Sequence, residues 1–410
     1  MKARLHIYMG ALCALMARTA GAGPWNIEPI LGVSADYETN ALLHQFDTES
    51  EEHVAALVDL PLHYNGDAFE LSFRPYGRLT NSQGYSSLAS DYAHLDTAAQ
   101  FTNELGSATL QASLARDSSL YYVGGALGYG VGVARNTESA AGDWTHLLTE
   151  RTQLQLDTSW LDVRYDNPSG FSSTSYNLVD YRYFSGGPTL SYSVNERDTV
   201  KVLANIGEYQ SLDGITQSKS QSLQVGYVRP LNEIWTLSVN AGYSRSTNSE
   251  KVLDELIYYF YGVVEYETYT SKQDGTVYTA TLSRQGERVN LSAVVSRALQ
   301  PTGFAFLSKQ DSVTLAGTYT KSERWDFAVN ASWQKALSPS ESAGVAQLSG
   351  NEFSVHYINA QLAANWHWTA QWVVSLRATR VVQQYGPPIV SGASSGLNLD
   401  ITRHFLRTEF

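Results

Sequence analysis

Few side chains in this sequence are spaced closely enough for catalysis. The most compact set is Asp91, His94 and Asp96, in which His94 and Asp96 lie two residues apart on one face of a strand. A histidine beside carboxylates can act as a general base, but no serine motif accompanies it, and such a histidine is more often structural. The only cysteine, Cys13, lies near the N-terminus. We therefore predict that the chain is not an enzyme and binds no metal and no cofactor.

A second group of charged residues is scattered along segments in which apolar and polar positions alternate. If the polar positions face an aqueous interior, charges of both signs line it, and a transverse field could select solutes. The same residues could equally be solvated wall positions without a selective role. The predicted pore-lining residues are Glu70, Arg74, Arg78, Asp157, Lys201, Asp326 and Arg377.

Aromatic side chains are concentrated in the stretch IYYFYGVVEYETY, residues 257 to 269. Aromatic faces stack on sugar rings, so this segment could contact glycans. It could also prolong a barrel wall above a membrane and supply the outer aromatic girdle. The predicted glycan-contact residues are Tyr258, Tyr259, Phe260, Tyr261, Tyr266 and Tyr269.

A glycine-rich stretch, YYVGGALGYGVGVAR, runs from Tyr121 to Arg135 and carries no charge before the arginine. No strand-to-helix context and no following lysine make it a phosphate-binding loop. We instead expect the connections at 119–141 and 247–273 to be the segments able to fold into a channel mouth and to act as a gate.

The elements that carry these residues are hairpins, and the clearest runs from Val313 to Trp333. Apolar and polar residues alternate with period two on both sides of the polar turn Lys321 to Arg324. In the second arm the apolar face begins with Trp325 and ends with Trp333, and small aliphatic residues lie between them. This pattern is typical of a lipid-facing strand, because aromatic rings favour the bilayer interfaces.

Eight short polar turns alternate with nine long connections along the chain, which indicates 18 strands. We predict an all-β protein, a transmembrane antiparallel up-and-down β-barrel with short periplasmic turns and long extracellular loops. The competing architecture is a large soluble all-β protein, a sandwich pair or a propeller, in which the apolar faces form a shared core. Aromatic residues at the strand ends and the sorting of short and long connections favour the barrel.

The N-terminus has the three parts of a secretory signal peptide: the basic residues Lys2 and Arg4, an apolar run from Ile7 to Met16, and small residues up to Ala22. We therefore predict a signal peptide at 1–22 and an outer-membrane barrel at 23–410. The formal net charge is −12, and loss of the leader removes basic residues only. Nucleic acid is therefore not expected as a partner.

Several segments of the chain resemble β-barrel porins of Gram-negative outer membranes, particularly those found beside exopolysaccharide genes. The segments are PILGVSADYETNALL (Pro29 to Leu43), Arg135 to Thr137, ERTQLQLDTSWLDVRYD, LVDYRYFSGGPTLSYSVNERDTV and the terminal RTEF. The resemblance covers essentially the whole mature chain and concerns its architecture. It implies an integral outer-membrane location and a channel that exports an exopolysaccharide or another hydrophilic saccharide.

Two other functions stay open at this point: a general diffusion porin for small solutes, and an adhesive surface barrel with a closed lumen. The expected partners are outer-membrane lipid and lipopolysaccharide, a polysaccharide cargo, and a periplasmic or inner-membrane protein that delivers it. The acidic run Asp47 to Glu52 could bind divalent cations that bridge lipopolysaccharide, although charge runs are usually solvated surface.

Overall fold

The structure is a computed structural model that describes residues 25–40, 43, 50–83, 92–118, 134–166, 178–253, 266–302, 307–337, 354–386 and 390–409. Every regular element in these ranges is a β-strand. Within the same residues, no helix is long and apolar enough to cross a membrane. The predicted signal peptide at 1–22 lies outside them.

The strands are numbered in chain order, and a strand interrupted by two or three irregular residues keeps one number. They are β1 (Trp25–Ile27 and Ile30–Thr39), β2 (Ser50–Asp59 and Leu62–Asn65), β3 (Phe69–Gln83), β4 (Tyr92–Asn103), β5 (Gly106–Ser118), β6 (Ala134–Thr149), β7 (Thr152–Tyr165), β8 (Tyr181–Ser193), β9 (Thr199–Ser211), β10 (Thr216–Pro230), β11 (Trp235–Leu253), β12 (Tyr266–Gln285), β13 (Val289–Pro301), β14 (Leu307–Ser322), β15 (Trp325–Leu337), β16 (Ser354–His367), β17 (Trp372–Gly386) and β18 (Val390–His404 and Thr408–Glu409).

Each strand pairs antiparallel with the next, and β1 pairs with both β2 and β18, so the sheet closes on itself. The interruptions in β1 and β2 fall at Pro29 and Pro61. A proline has no N–H to donate to the ladder, so pairing is lost locally while the strand continues. The 18-stranded antiparallel barrel predicted from the sequence is confirmed.

The outer face of the barrel is apolar. Large aliphatic side chains point away from the interior and are exposed in the isolated chain, for example Val33 at 56%, Leu79 at 69% and Leu362 at 61%. The residues between them in sequence face the opposite side and are mostly polar. An apolar surface that encircles a closed barrel fits lipid hydrocarbon, because the backbone groups of the described strands are paired with neighbouring strands and need no hydrogen bond from the lipid.

Aromatic rings form a continuous stack on the outer face at the end with the short turns. Neighbouring ring centroids lie 6.3 Å apart for Tyr319 and Phe327, 6.0 Å for Phe327 and Trp325, 6.1 Å for Trp325 and Trp366, and 6.2 Å for Trp366 and Trp368. The stack includes Trp325, the first residue of the second arm of the Val313 to Trp333 hairpin, and rings on the two adjacent strands. Such a group of rings is suited to a membrane interface.

Two of the predicted long loops are shorter than expected. Residues 134–141 belong to β6, and residues 247–253 and 266–273 belong to β11 and β12. The prediction was wrong here because these strand ends, as in Ser244 to Lys251, are polar on both faces. Without an apolar face, period-two alternation leaves no signal in the sequence.

The hairpin of β13 and β14 leaves the barrel wall at its upper end. The ladder between β12 and β13 ends at the pair Tyr278 and Arg297, whereas β13 and β14 stay paired as far as Pro301 and Leu307. We call residues 299–302 and 307–310 the hairpin tip. Since the tip is no longer held by β12, it can turn toward the interior.

Candidate functional site

One part of the inner wall carries ion pairs, and we call the inward faces of β17, β18 and β1 to β4 the charged wall. Arg74 donates to both carboxylate oxygens of Asp59, with Nε to Oδ1 at 2.9 Å and Nη2 to Oδ2 at 2.6 Å. Arg78 donates to Asp36, and Asn398 donates to Asp36 and, at 3.1 Å, to Asp400. Arg74 and Arg78 are thus each balanced by a carboxylate on a nearby strand instead of facing an opposite charge across the lumen.

The remaining predicted pore-lining residues of the charged wall are Arg377 and Glu70. Arg377 lies opposite Asn398 in the ladder between β17 and β18, and Glu70 lies opposite Gln100 between β3 and β4. Both alternate along their strands with apolar residues, since Leu376 is exposed on the outer face and Leu71 follows Glu70. Their place on the inner face follows from this alternation, and their role in selectivity stays a prediction.

The histidine cluster has a geometry unlike that of a catalytic relay. His94 Nε2 lies 2.7 Å from Ser113 Oγ and 2.9 Å from Asp96 Oδ1, while Tyr92 Oη lies 3.3 Å from Nδ1. In a catalytic triad the serine and the carboxylate contact opposite ring nitrogens, so that one holds the tautomer while the other passes its proton. Here both contact the same nitrogen. The third predicted member, Asp91, lies outside the described residues.

Asp157 and Lys201 lie on a different part of the wall, on β7 and β9. Gln155 Nε2 donates to Asp157 at 2.8 Å and to Asp143 at 2.7 Å, so one amide bridges two carboxylates on neighbouring strands. Lys201 lies opposite Ser191 and Gly226 in its two ladders. Among the described residues, no group of three or more His, Cys, Asp and Glu could hold a metal ion.

Asp326 is held at the short-turn end of β15. Its carboxylate accepts a hydrogen bond from Asn365 at 2.7 Å and lies 2.8 Å from Nε2 of His367. Trp325 and Phe327, its sequence neighbours, are exposed on the outer face. Asp326 is therefore tied to β16 at the edge of the lumen.

The inner face from β10 to β15 is uncharged over most of its height, and we call it the polar wall. Its ranges are 218–230, 236–248, 271–285, 290–298, 310–320 and 328–336, and no inward position in these described ranges carries Asp, Glu, Lys or Arg. The outward neighbours are apolar, such as Leu223, Val239 and Leu315. Inward side chains of the polar wall include Ser220, Gln224, Ser238, Asn240, Thr281, Asn290, Ser312 and Asn330.

Of the predicted glycan-contact residues, Tyr258, Tyr259, Phe260 and Tyr261 lie outside the described residues. Tyr266 and Tyr269 belong to β12 and are exposed, and the hydroxyl of Tyr269 donates to Glu267 at 2.9 Å. They were predicted in a loop, and this is a correction: β12 continues as a strand to Tyr266 because it stays paired with β11 above the membrane.

The hairpin tip contacts a part of the mouth with which β13 and β14 do not pair, a feature that the sequence pattern did not predict. The hydroxyl of Tyr209 on β9 donates to the backbone carbonyl of Thr302 at 3.2 Å, and Leu307 is buried to 1% exposure. Three strands separate β9 from β13 in the wall, so this contact is made across the mouth. The available signal was the apolar character of Leu299, Pro301 and Leu307 in a connection expected to be solvated.

An apolar cluster on β7 to β9 receives the hairpin tip. Leu307 packs in it, and the rings of Tyr181 and Tyr209 stack with centroids 5.3 Å apart. In a barrel with a hydrated interior these apolar side chains would be exposed to water, which is unfavourable. Leu307 of the hairpin tip packs against them and shields them from the solvent. The other members of the cluster are Leu161, Val163, Tyr165 and Leu178.

A buried ion pair stands beside this cluster. Arg135 donates to both oxygens of Asp117, at 3.0 Å and 2.7 Å, and both side chains are fully buried. Nearby, the backbone N–H of Tyr165, the last residue of β7, donates to Asp180 at 2.8 Å. Asp180 lies in the connection before β8. Burial nevertheless raises the pKa of the Asp180 carboxyl. At this side of the mouth the side chains of Arg135 and Asp117 are therefore packed out of contact with solvent.

A cavity of about 730 Å³ lies inside the barrel below the hairpin tip. The inner faces of β2 to β8 form its wall, and Leu299, Gln300 and Pro301 cap it. Its polar lining consists mainly of hydroxyl and amide groups, with one arginine and one aspartate at one end: Ser72, Arg74, Asp96, Gln111, Ser113, Ser139, Ser159, Tyr183 and Ser185.

A closed 18-stranded barrel with an apolar outer face and a hydrated inner face is an integral protein of the bacterial outer membrane. No protein-family model matches the chain, and no curated protein matches its sequence.

Three solved structures illustrate which folds are similar to this one. OccK2 (OpdF) of Pseudomonas aeruginosa is 12% identical, with 93% of this chain and 98% of that chain covered and a TM-score of 0.45. The outer membrane protein OpdK of Pseudomonas aeruginosa is 11% identical, with 93% and 99% covered and a TM-score of 0.45. OccAB2 of Acinetobacter baumannii is 11% identical, with 93% and 98% covered and a TM-score of 0.45. Similarity this low carries no conclusion about the solute.

Proposed function

We propose that the protein is an outer-membrane channel for small, uncharged hydrophilic solutes, with saccharides as the favoured class. The observation that carries this proposal is the polar wall, whose described inward positions between β10 and β15 offer hydroxyl and amide groups without formal charge. A neutral sugar that leaves bulk water can exchange its hydrogen bonds with water for bonds to such a wall at small net cost.

The charged wall supports the same class of solute. Its arginines Arg74 and Arg78 are each held by a carboxylate, so they are partly neutralised before a solute arrives. A channel for polyanions would need arginines whose charge is free. The described inward carboxylates outnumber the inward arginines, and we expect weak selectivity for cations over anions.

The hairpin tip favours passage of small solutes over a polymer chain. It spans part of the mouth and is held against β7 to β9 by Tyr209 and by the burial of Leu307. Export of an exopolysaccharide has the sequence resemblance and the uncharged polar wall in its support. It requires in addition that the tip swing back, and that a periplasmic or inner-membrane partner deliver the polymer.

Single-channel recording in planar bilayers tests the proposal. The mature protein should give stable open currents, and a variant in which residues 299–310 are replaced by a two-residue turn should conduct several-fold more. Absence of conductance from both proteins would contradict the channel and would favour an adhesive barrel with a closed lumen. A full-length chain whose current is blocked for long periods by a neutral polysaccharide, but not by maltose, would instead favour export.

A further inference from the structure

We propose that the cavity below the hairpin tip is a binding subsite for a neutral mono- or disaccharide, and that the ring of Tyr183 stacks on the sugar. This inference rests on the proposed channel function and adds a defined place at which the solute pauses. Its volume of about 730 Å³ falls in the range of small-molecule sites.

The position of Tyr183 gives the subsite an aromatic platform. Its ring packs against the apolar cluster of the mouth on one side, and its hydroxyl end lies over Gly207 on the next strand. A Cβ at position 207 would come within 3.0 Å of the Tyr183 hydroxyl and 2.6 Å of Ser220 Oγ. Because Gly207 lacks that atom, the ring has room to extend over position 207, and Tyr183 lines the cavity.

A row of serine hydroxyls lines the cavity from β8, which carries Tyr183, to β5. Ser159 and Ser185 lie opposite each other on β7 and β8 with their oxygens 2.7 Å apart. Ser113 and Ser139 are also opposite each other in the ladder between β5 and β6, and the hydroxyl of Ser113 contacts His94. Each hydroxyl can both donate and accept, as sugar hydroxyls do. The row therefore matches a ligand that displays several hydroxyls, whatever their orientation.

The two ends of the cavity differ, which would orient the ligand. Tyr183 lies at one end, under the hairpin tip, where Gln300 adds an amide. Arg74 and Asp96 lie at the other end and face each other in the ladder between β3 and β4. Vicinal sugar hydroxyls fit between a donor and an acceptor of this kind, while the less polar face of the ring fits the aromatic platform.

Sugar-dependent block of the single-channel current tests the subsite. With maltose as the probe, the unmodified channel should show a saturable block. Tyr183→Ala should raise the half-blocking concentration about fivefold, as expected for loss of one aromatic stacking contact. Tyr183→Phe keeps the ring and should stay within about twofold of the unmodified channel.

A second variant disturbs the contact between the Tyr183 ring and the sugar without removing the ring. Gly207→Val places its Cβ 3.0 Å from the Tyr183 hydroxyl and adds two methyl groups beyond it, so the ring has to shift and maltose affinity should fall although Tyr183 is present. Tyr357→Ala is the matched control, because Tyr357 is an inward tyrosine of β16 outside the cavity lining. Its maltose block should be unchanged.

The outcomes separate the subsite from the channel. Absence of any current from the unmodified protein would overturn the channel, and the subsite with it. Stable currents that maltose lowers only in linear proportion to its concentration would overturn the subsite and leave the channel standing. An unchanged half-blocking concentration in both Tyr183→Ala and Gly207→Val would do the same.

Discussion

The charged wall and the polar wall have the same outer face and different inner faces. Strands of both walls present alternate aliphatic residues to the lipid, such as Val33 on β1 and Val239 on β11, with aromatic rings near their ends. On the inside, one wall holds arginines and carboxylates in pairs, and the other holds hydroxyls and amides. The lipid therefore constrains one side of each strand, and the inner side is left to set solute preference.

The difference also shows how each wall can respond to a permeating ion. On the charged wall, an ion meets groups that already have partners, such as Arg78 with Asp36. On the polar wall, a new charge would find no compensating group among the described inward residues. The same change in charge should thus have unequal effects on the two walls, and the following variants test this.

The largest effect is expected from reversing two charges of the charged wall. Arg74→Glu combined with Arg78→Glu removes the arginine partners of Asp59 and Asp36 and leaves a continuous acidic strip. The permeability ratio of potassium to chloride, from reversal potentials across a KCl gradient of up to about 0.1 M, should rise about tenfold, because an ion that passes within the screening length of about 10 Å still feels the strip.

A charge swap is the control for that double variant. Asp36→Arg combined with Arg78→Asp keeps the sum of charges and the ion pair, so the permeability ratio should stay within about twofold of the unmodified channel. A tenfold change in the swapped variant as well would mean that position, and not net charge, governs selectivity.

A smaller effect is expected from a single lysine on the polar wall. Ser238→Lys puts a cation where its ladder partner is Thr281 and no carboxylate is at hand. The potassium to chloride permeability ratio should fall about threefold, more than in Arg78→Gln, where the lost charge was already paired. Equal shifts in the two variants would remove the distinction between the walls.

Removal of hydroxyls from the polar wall should alter sugar passage and leave ion selectivity alone. Ser238→Ala with Thr281→Val removes the hydroxyls of two residues that face each other in the ladder, and the second change is nearly isosteric. Maltose flux into proteoliposomes should fall about threefold, in line with the net worth of a hydrogen bond. Thr158→Val, on an exposed outward position of β7, is the matched control and should leave the flux unchanged.

The smallest effect is expected at the short-turn end. Asp326→Asn removes one carboxylate that is shared with Asn365 and His367 and is partly exposed to water. Solvent screening weakens such a charge. The potassium to chloride ratio should fall by less than about half, and a larger fall would make Asp326 a selectivity residue of the same rank as the arginine pairs.

The sequence predicted the barrel because lipid imposes a strict pattern on its outer face. The alternation in Val313 to Trp333 has a physical cause, and the same cause acts on every strand, so the strand number could be read from the spacing of turns. Where no lipid acts, as at the polar ends of β11 and β12, the alternation disappears and the strand ends were predicted as loops.

The inner face was predictable only as a set of polar positions. The sequence shows Arg74 and Asp59, but their pairing depends on the register between strands, which side-chain pattern alone does not fix. The contact of Tyr209 with Thr302 is even harder to predict from the sequence. It joins elements 93 residues apart across the mouth, and depends on β13 leaving β12 after Arg297.

Swelling of proteoliposomes in isotonic solutions of neutral and charged sugars is the most direct measurement of the central claim. The mature protein should admit glucose and maltose at rates that fall smoothly with size, and should admit the sugar acid gluconate more slowly than glucose. No swelling in glucose, or faster swelling in gluconate than in glucose, would contradict a hydrated channel whose polar wall favours uncharged solutes.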